Sequence, residues 1–275
     1  MAEAINLSQS VRTNLLTLQR TSDLISTTQT RLSTGKKVNS AIDDAPAFFT
    51  AKALSNSAND LDSLKSNIDL AISTIQSAID GIDAITELVN QAKGLASNAK
   101  ATGDTNERST LAVQFNELLS QIDSLANDSS FNGTNLLQAS PDNLAVEFNS
   151  ANTSNLTITG LDATTASTGI NIAVAANNFG LNANIDTALT AISSALTTLR
   201  SNASTMGSNN TILSTRLNFT ENLVNTLEGG EGKLTLADLN EESANLLALQ
   251  TRQQLGINSL ALAAQSERSI LALFG

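Results

Sequence analysis

From Leu61 to Ala99, apolar side chains return every seven residues in two interleaved series. One is Leu61, Ile68, Ile75, Ile82, Val89 and Ala96; the other is Leu64, Ala71, Ala78, Ile85, Ala92 and Ala99. A seven-residue period places both series on one stripe of a helix and winds that helix around its neighbours, so the chain is committed to long, packed helices. The alanines of the second series let backbones approach closely, and Ile72 and Ile79 open a second apolar edge beside the stripe. A bundle of several helices therefore fits better than a two-stranded coil. Gly81 and Gly94 lie inside the run. Each should cost about 1 kcal/mol relative to Ala, and both read as tolerated.

The remaining segments extend this pattern. Residues 1–34 contain neither Gly nor Pro, and Ala4, Val11, Leu18, Ile25 and Leu32 recur every seven residues with Leu15 at an intermediate position. This is a striped helix that wants a partner. After the turn-like Thr102-Gly103-Asp104, Leu111, Phe115, Leu118, Ile122 and Leu125 predict a shorter antiparallel helix, closed by the strong turn signal Asn132-Gly133. Residues 141–184 have no Lys or Arg and alternate apolar with polar at Leu144, Val146 and Phe148, at Leu156 and Ile158, and at Ile170, Ile172 and Val174. They predict a small β insert. Helical spacing returns from Ile185 through Leu189, Ile192, Leu196, Leu199, Met206, Leu213, Leu217 and Val224 to Leu227, which predicts a rod of about 60 Å. Gly229, Gly230 and Gly232 are expected to stop it. Asp238 is placed to cap a last helix in which Ile257, Leu260, Ala264, Leu271 and Phe274 share a face.

The two ends carry opposite charge. Residues 1–40 hold five basic against two acidic side chains, and residues 236–275 two basic against four acidic. Pairing of the terminal helices follows. The expected fold is mainly α: long heptad-patterned helices in a hairpin-like coiled-coil rod, a small β insert at the tip, and paired N- and C-terminal helices. Its divisions are 1–40 and 236–275 as terminal helices, 41–140 and 185–235 as rod helices, and 141–184 as the insert. The expected rod core includes Leu61, Ile68, Ile75, Ile82, Val89, Leu118, Ile122, Ile192, Leu199, Leu213 and Leu217.

Composition removes most chemistry. The 275 residues include no His and no Cys, which excludes Ser/His/Asp and Cys/His catalysis, zinc cages and disulfides. A net charge of -11 with 3% aromatic residues disfavours nucleic acid, because phosphates are repelled and bases find no stacking platform. The start lacks a basic region followed by an apolar core, and no stretch is long and apolar enough for a membrane span, so neither a cleavable signal nor membrane insertion is expected. Gly35-Lys36 and Gly232-Lys233 fail as phosphate loops, being followed by Lys37 and Leu234 rather than Ser or Thr. The acid pairs Asp43-Asp44 and Glu241-Glu242 read as solvated or capping residues, since adjacent side chains point in different directions. No catalytic residue, cofactor or metal is expected. What remains is self-association: two lone terminal helices cannot bury their apolar faces in each other completely, so those faces ask for further copies of the chain.

Ser33-Thr34-Gly35-Lys36-Lys37-Val38-Asn39-Ser40-Ala41-Ile42-Asp43-Asp44-Ala45 resembles the N-terminal signature of bacterial flagellins. In the same order as in that family come Asn59-Asp60-Leu61, Phe131-Asn132-Gly133-Thr134-Asn135-Leu136-Leu137, Gln253-Gln254-Leu255, and Ser269-Ile270-Leu271-Ala272-Leu273-Phe274. The resemblance covers everything except the insert, which is too short for the outer domains of larger members. It implies an extracellular homopolymer, the flagellar filament. It also implies export unfolded through a type III apparatus, with a flagellin chaperone, a filament cap and hook-filament junction proteins as partners. Val11, Leu15, Leu18, Ile25, Leu32, Ile257, Leu260, Ala264, Leu271 and Phe274 would then make the axial polymerisation contacts. A hook-filament junction protein, which resembles flagellin at both ends, is the alternative; a soluble coiled-coil partner is a third reading. Flagellins sensed by the animal Toll-like receptor carry an Arg before Glu-Leu on the long rod helix and a Glu on the next helix. The matching positions here are Thr86 and Gln114, which implies weak receptor contact.

Overall fold

The computed structural model describes residues 9–274, with backbone only for Glu267 and residues 270–274. Five helices dominate: α1 (Gln9–Thr34), α2 (Ala45–Ala101), α3 (Thr105–Asp128), α4 (Asn182–Thr235) and α5 (Leu239–Phe274). Two hairpins, β1 (Ser130–Phe131) with β2 (Thr134–Asn135) and β3 (Asn143–Glu147) with β4 (Asn155–Thr159), supply all the sheet among the described residues. The chain divides into a unit of residues 58–225 and a unit of residues 1–57 with 226–275.

In the 58–225 unit, α2 and α4 run antiparallel, tied by ion pairs from Lys100 to Asp186 and from Lys65 to Glu221 (3.9 Å). Both heptad series of α2 point inward: Ile68, Ile75, Ile82, Val89 and Ala96 are buried, as are Leu64, Ala71, Ala78, Ile85, Ala92 and Ala99. The helix α3 begins at Asp104, whose side chain accepts from the Asn106 N–H, and packs Ala112, Phe115, Leu119, Ile122 and Ala126 into this core. Its buried face is thus rotated from the expected one, leaving Leu111, Leu118 and Leu125 half-buried beside it. The Asn132-Gly133 turn forms as predicted. Both residues have positive φ (49° and 82°) in a two-residue β1–β2 loop.

Two expectations about this unit are corrected. A Cβ on Gly81 would stand 2.5 Å from Ser129 Oγ and 2.8 Å from Leu137 Cδ1, so Gly81 is where the end of α3 presses against α2. Gly94 meets nothing within 4 Å and is the tolerated one. Nor does the Ile170–Val174 alternation form a strand. Ile170 and Ile172 are buried and Val174 is exposed, but the segment lies against α3 rather than in a sheet. Asp123 Oδ1 accepts from the Thr165 N–H (2.7 Å) and Asn116 Oδ1 from the Ala175 N–H (2.9 Å), while Arg108 Nη2 donates to Asn182 Oδ1 (2.7 Å). Phe179 closes the segment edge-on to Phe115, with centroids 5.2 Å apart.

The β3–β4 hairpin lies beside the helices rather than beyond their ends. It lines a recess with Asn67, Leu70, Ala71 and Thr74 of α2, and Arg216 of α4 stacks 4.9 Å over the ring of Phe148. The turn between Ala101 and Thr105 and the start of α4 form the end of this bundle. The hairpin continues where α3 stops, covering the next stretch of α2 and α4 with Val146 and Ile158.

In the other unit, Gly229, Gly230 and Gly232 do not stop α4, which continues to Thr235. A helical glycine costs only about 1 kcal/mol, which packing can offset, and a Cβ on Gly230 would lie 3.3 Å from Leu54 of α2, a close contact. The stop comes where the backbone finds other partners. The N–H groups of Lys37 and Val38 donate to Thr235 O, and that of Ala237 donates to Gly35 O.

Candidate assembly surface

Helix α1 ends because Gly35 takes the left-handed conformation (φ 71°) while its N–H still closes onto Arg31 O. The signature segment that follows is locked from within. The Asp43 carboxylate accepts from the N–H of Asn39 (3.0 Å) and from the N–H (2.9 Å) and Oγ (3.1 Å) of Ser40, and the two backbone bonds hold its pKa below the ordinary 3.8. Asp44 Oδ1 accepts from the Ala47 N–H (3.0 Å), capping α2 ahead of Pro46. Asp238 does the same for α5, accepting from the Asn240 (2.9 Å) and Glu241 (3.3 Å) N–H groups. Asp43 and Asp44 are therefore occupied in a turn and a cap. Glu242 takes an ion pair instead.

That pair, Arg31 Nη1 to Glu242 Oε1 at 3.1 Å, and the approach of Leu18 to Gly256 establish α1 and α5 as antiparallel partners. Their contact seam steps by three and four. On α1 it comprises Val11, Asn14, Leu18, Thr21, Ile25, Thr28 and Leu32, all buried or half-buried. On α5 it comprises Glu242, Leu246, Leu249, Gln253, Gly256, Leu260 and Ala263. Of these only Val11, Thr21, Thr28 and Glu242 are fully buried. A seam that seats Asn, Thr, Gln and Glu among its leucines is a weak hydrophobic contact for its length.

The apolar residues left over face outward. Leu15, Leu16 and Leu24 of α1 are exposed, as are Leu247, Leu255, Ile257 and Leu262 of α5. Apolar side chains all round a helix mark one built to be enclosed, and two half-covered helices are not enclosed by each other. Of the residues expected at the polymerisation contacts, Val11, Leu18, Ile25, Leu32 and Leu260 lie in the α1–α5 seam. Leu15, Ile257 and Ala264 instead lie outside it, because seven-residue spacing selects a stripe without saying which partner covers it. The side chains of Leu271 and Phe274 fall outside the described residues. Sequence reasoning missed Leu16, Leu24, Leu247, Leu255 and Leu262; the eight- and seven-residue steps from Leu247 to Leu255 and Leu262 were the available signal.

Among the expected core residues, Ile68, Ile75, Ile82, Val89, Ile122, Ile192, Leu199 and Leu213 are buried, and Leu61, Leu118 and Leu217 are half-buried. Thr86 is half-buried on α2 and Gln114 exposed on α3. Among the described residues no His, Cys, Asp or Glu cluster could hold a metal, and no helix is long and apolar enough to cross a membrane.

Comparison with known proteins matches this arrangement at both ends of the chain. Residues 5–142 match the family model of the bacterial flagellin N-terminal helical region, and residues 189–274 that of the C-terminal helical region. The chain is similar to flagellin FljK of Caulobacter vibrioides, at 34% identity over 278 residues and 98% of each chain. It is also similar to a flagellin of Brucella melitensis, at 29% identity over 98% of this chain and 99% of that one. Among solved structures, a Bacillus cereus flagellin overlaps 56% of this chain and 88% of its own, with a TM-score of 0.48 and 19% identity. These relatives are flagellins, which does not favour the junction-protein alternative. With both terminal regions matched and full-length relatives at this identity, the chain belongs to the bacterial flagellin family, a family of structural filament subunits.

Proposed function

We propose that this chain is exported unfolded by the flagellar type III apparatus and polymerises outside the cell into a filament that serves swimming motility. A flagellin chaperone, the export machinery, the filament cap and hook-filament junction proteins are its partners on that route. The observation that carries this reading is the half-polar α1–α5 seam backed by outward Leu15, Leu16, Leu24, Leu247, Leu255, Ile257 and Leu262. Burying a few hundred Å2 of that surface at roughly 25 cal/mol per Å2 is worth several kcal/mol per subunit, offset in part by the entropy of ordering the ends.

The test is negative-stain electron microscopy after seeding purified protein with short filament fragments, beside a variant lacking residues 256–275. Long uniform filaments from the full-length chain alone are expected. Monomers or short rings from both would overturn the reading. Polymerisation-coupled ordering also predicts that limited proteolysis trims residues 1–30 from the monomer and spares them in the filament. Thr86 and Gln114 replace the charged pair through which receptor-active flagellins are contacted, so a reporter-cell assay should show weak activation; potency equal to an Arg/Glu-bearing flagellin would contradict it.

A further inference from the structure

Ile42 is 96% exposed, the most exposed large apolar side chain among the described residues. A single exposed aliphatic residue on a loose loop is ordinary. The Asn39–Asp44 turn is not loose. Besides the three bonds into the Asp43 carboxylate, Asn39 Nδ2 donates to Lys36 O (2.9 Å), the Ile42 N–H donates to Ser40 Oγ (3.3 Å), and Asp44 is engaged in capping α2. The turn satisfies its own polar groups and points an isoleucine at solvent between residues that carry negative charge on one side. A side chain held rigid in this way loses little entropy on docking, which is what a binding anchor requires.

The same unit contains a recess that fits it. Val38, Phe48 and Ala51 make its apolar lining, Lys36, Lys52 and Glu231 line it with charge, Ser55 lies at its wall, and its volume is about 280 Å3. Lys36 is paired with Glu231 (3.4 Å), while Lys52 is exposed and makes no ion pair among the described residues. An apolar knob flanked by Asp43 and Asp44 and an apolar recess flanked by Lys52 are complementary in both shape class and charge. Knob and recess adjoin at Asn39, which lines the recess and begins the turn. A contact in which each subunit gives its knob to one neighbour and takes another's in its recess is heterologous, as an open polymer needs.

We propose that Ile42 of one subunit seats in the Val38–Phe48–Ala51 recess of the next, with Asp43 and Asp44 facing Lys52. This rests on the assembly reading above and adds the identity of one subunit–subunit contact. The experiment uses seeded assembly of the full-length chain. Ile42→Asp is expected to raise the critical concentration at least tenfold, Ile42→Val to leave it within about twofold, and neither to change the helicity or melting of the monomer. Because the chain has no cysteine, Ile42→Cys and Ser55→Cys subunits mixed in one filament should give a disulfide-linked heterodimer on mild oxidation. Wild-type filaments with an unchanged critical concentration for Ile42→Asp, or no Ile42→Cys to Ser55→Cys disulfide in mixed filaments that do form, would overturn this contact and leave the assembly reading standing. Failure of the wild type to assemble at all would overturn both.

Discussion

Leu18 Cδ2 lies 2.9 Å from where a Cβ on Gly256 would stand, so α1 sets a leucine against the gap that glycine leaves in α5. Around this contact the antiparallel register runs to Arg31 and Glu242 at the other end of the seam. The mid-helix glycine lets the two helices approach closely at this point.

Gly256→Ala should be nearly neutral, because about 1 kcal/mol of helix propensity offsets the displacement of a flexible leucine. Gly256→Leu gains similar propensity but adds a side chain for which the seam has no room. Overpacking of about 1–3 kcal/mol is expected, seen as a raised critical concentration in seeded assembly, and Leu18→Ala in the same chain should recover much of it.

Gly81 and Gly94 lie on one helix and should respond with opposite signs. Gly81→Ala drives a methyl into Ser129 Oγ and Leu137 Cδ1 and should destabilise the monomer by about 1–2 kcal/mol after its gain in propensity. Gly94→Ala meets open space and should stabilise by about 0.5–1 kcal/mol. Thermal melts of the two variants against wild type check both.

Asn135 is 4% exposed and bonded on every side. Its Nδ2 donates to Ala126 O (3.0 Å) and Asn127 O (2.8 Å), and its Oδ1 accepts from the N–H groups of Leu137 (2.7 Å) and Gln138 (3.1 Å). It therefore closes the end of α3 and starts the segment that follows. Asn135→Leu leaves those backbone groups without partners and should cost about 3–4 kcal/mol, read as a melting temperature lower by about 10 °C.

Asp43 titrates below its ordinary value because the folded turn bonds its charged form through the Asn39 and Ser40 N–H groups. The sign follows: the contribution to the turn is fully present above the unfolded value of 3.8 and is lost as pH falls through the lower folded value. Carboxyl chemical shifts followed by NMR should show Asp43 titrating below a free aspartate side chain, and in Asp43→Asn the Asn39 and Ser40 amides should exchange faster at neutral pH.

The heptads of α2, the Asn132-Gly133 turn and the Asp238 cap were legible in the sequence because each depends on residues a few positions apart. Periodicity of that kind reports rotation about a helix axis, and rotation determines which residues share a face. It cannot say how many faces are covered or by what. So the α3 face was found one position out, where Leu119 and Ala126 take the places expected for Leu118 and Leu125. Leu15 and Ile257, expected at contacts between copies, lie on an apolar stripe outside the α1–α5 seam.

What only the tertiary structure decided has one physical origin: the outcome depends on a neighbour distant in sequence. Ile170 and Ile172 have the alternation of a strand, yet a strand needs an edge to pair with, and α3 offered Asn116 and Asp123 instead. Gly229, Gly230 and Gly232 have the composition of a stop, yet the helix persists to Thr235 with Leu54 packed close against Gly230. Local chemistry determined the helices, their caps and the tightest turn. Partners brought from elsewhere in the chain determined which apolar residues were enclosed and which were left facing outward.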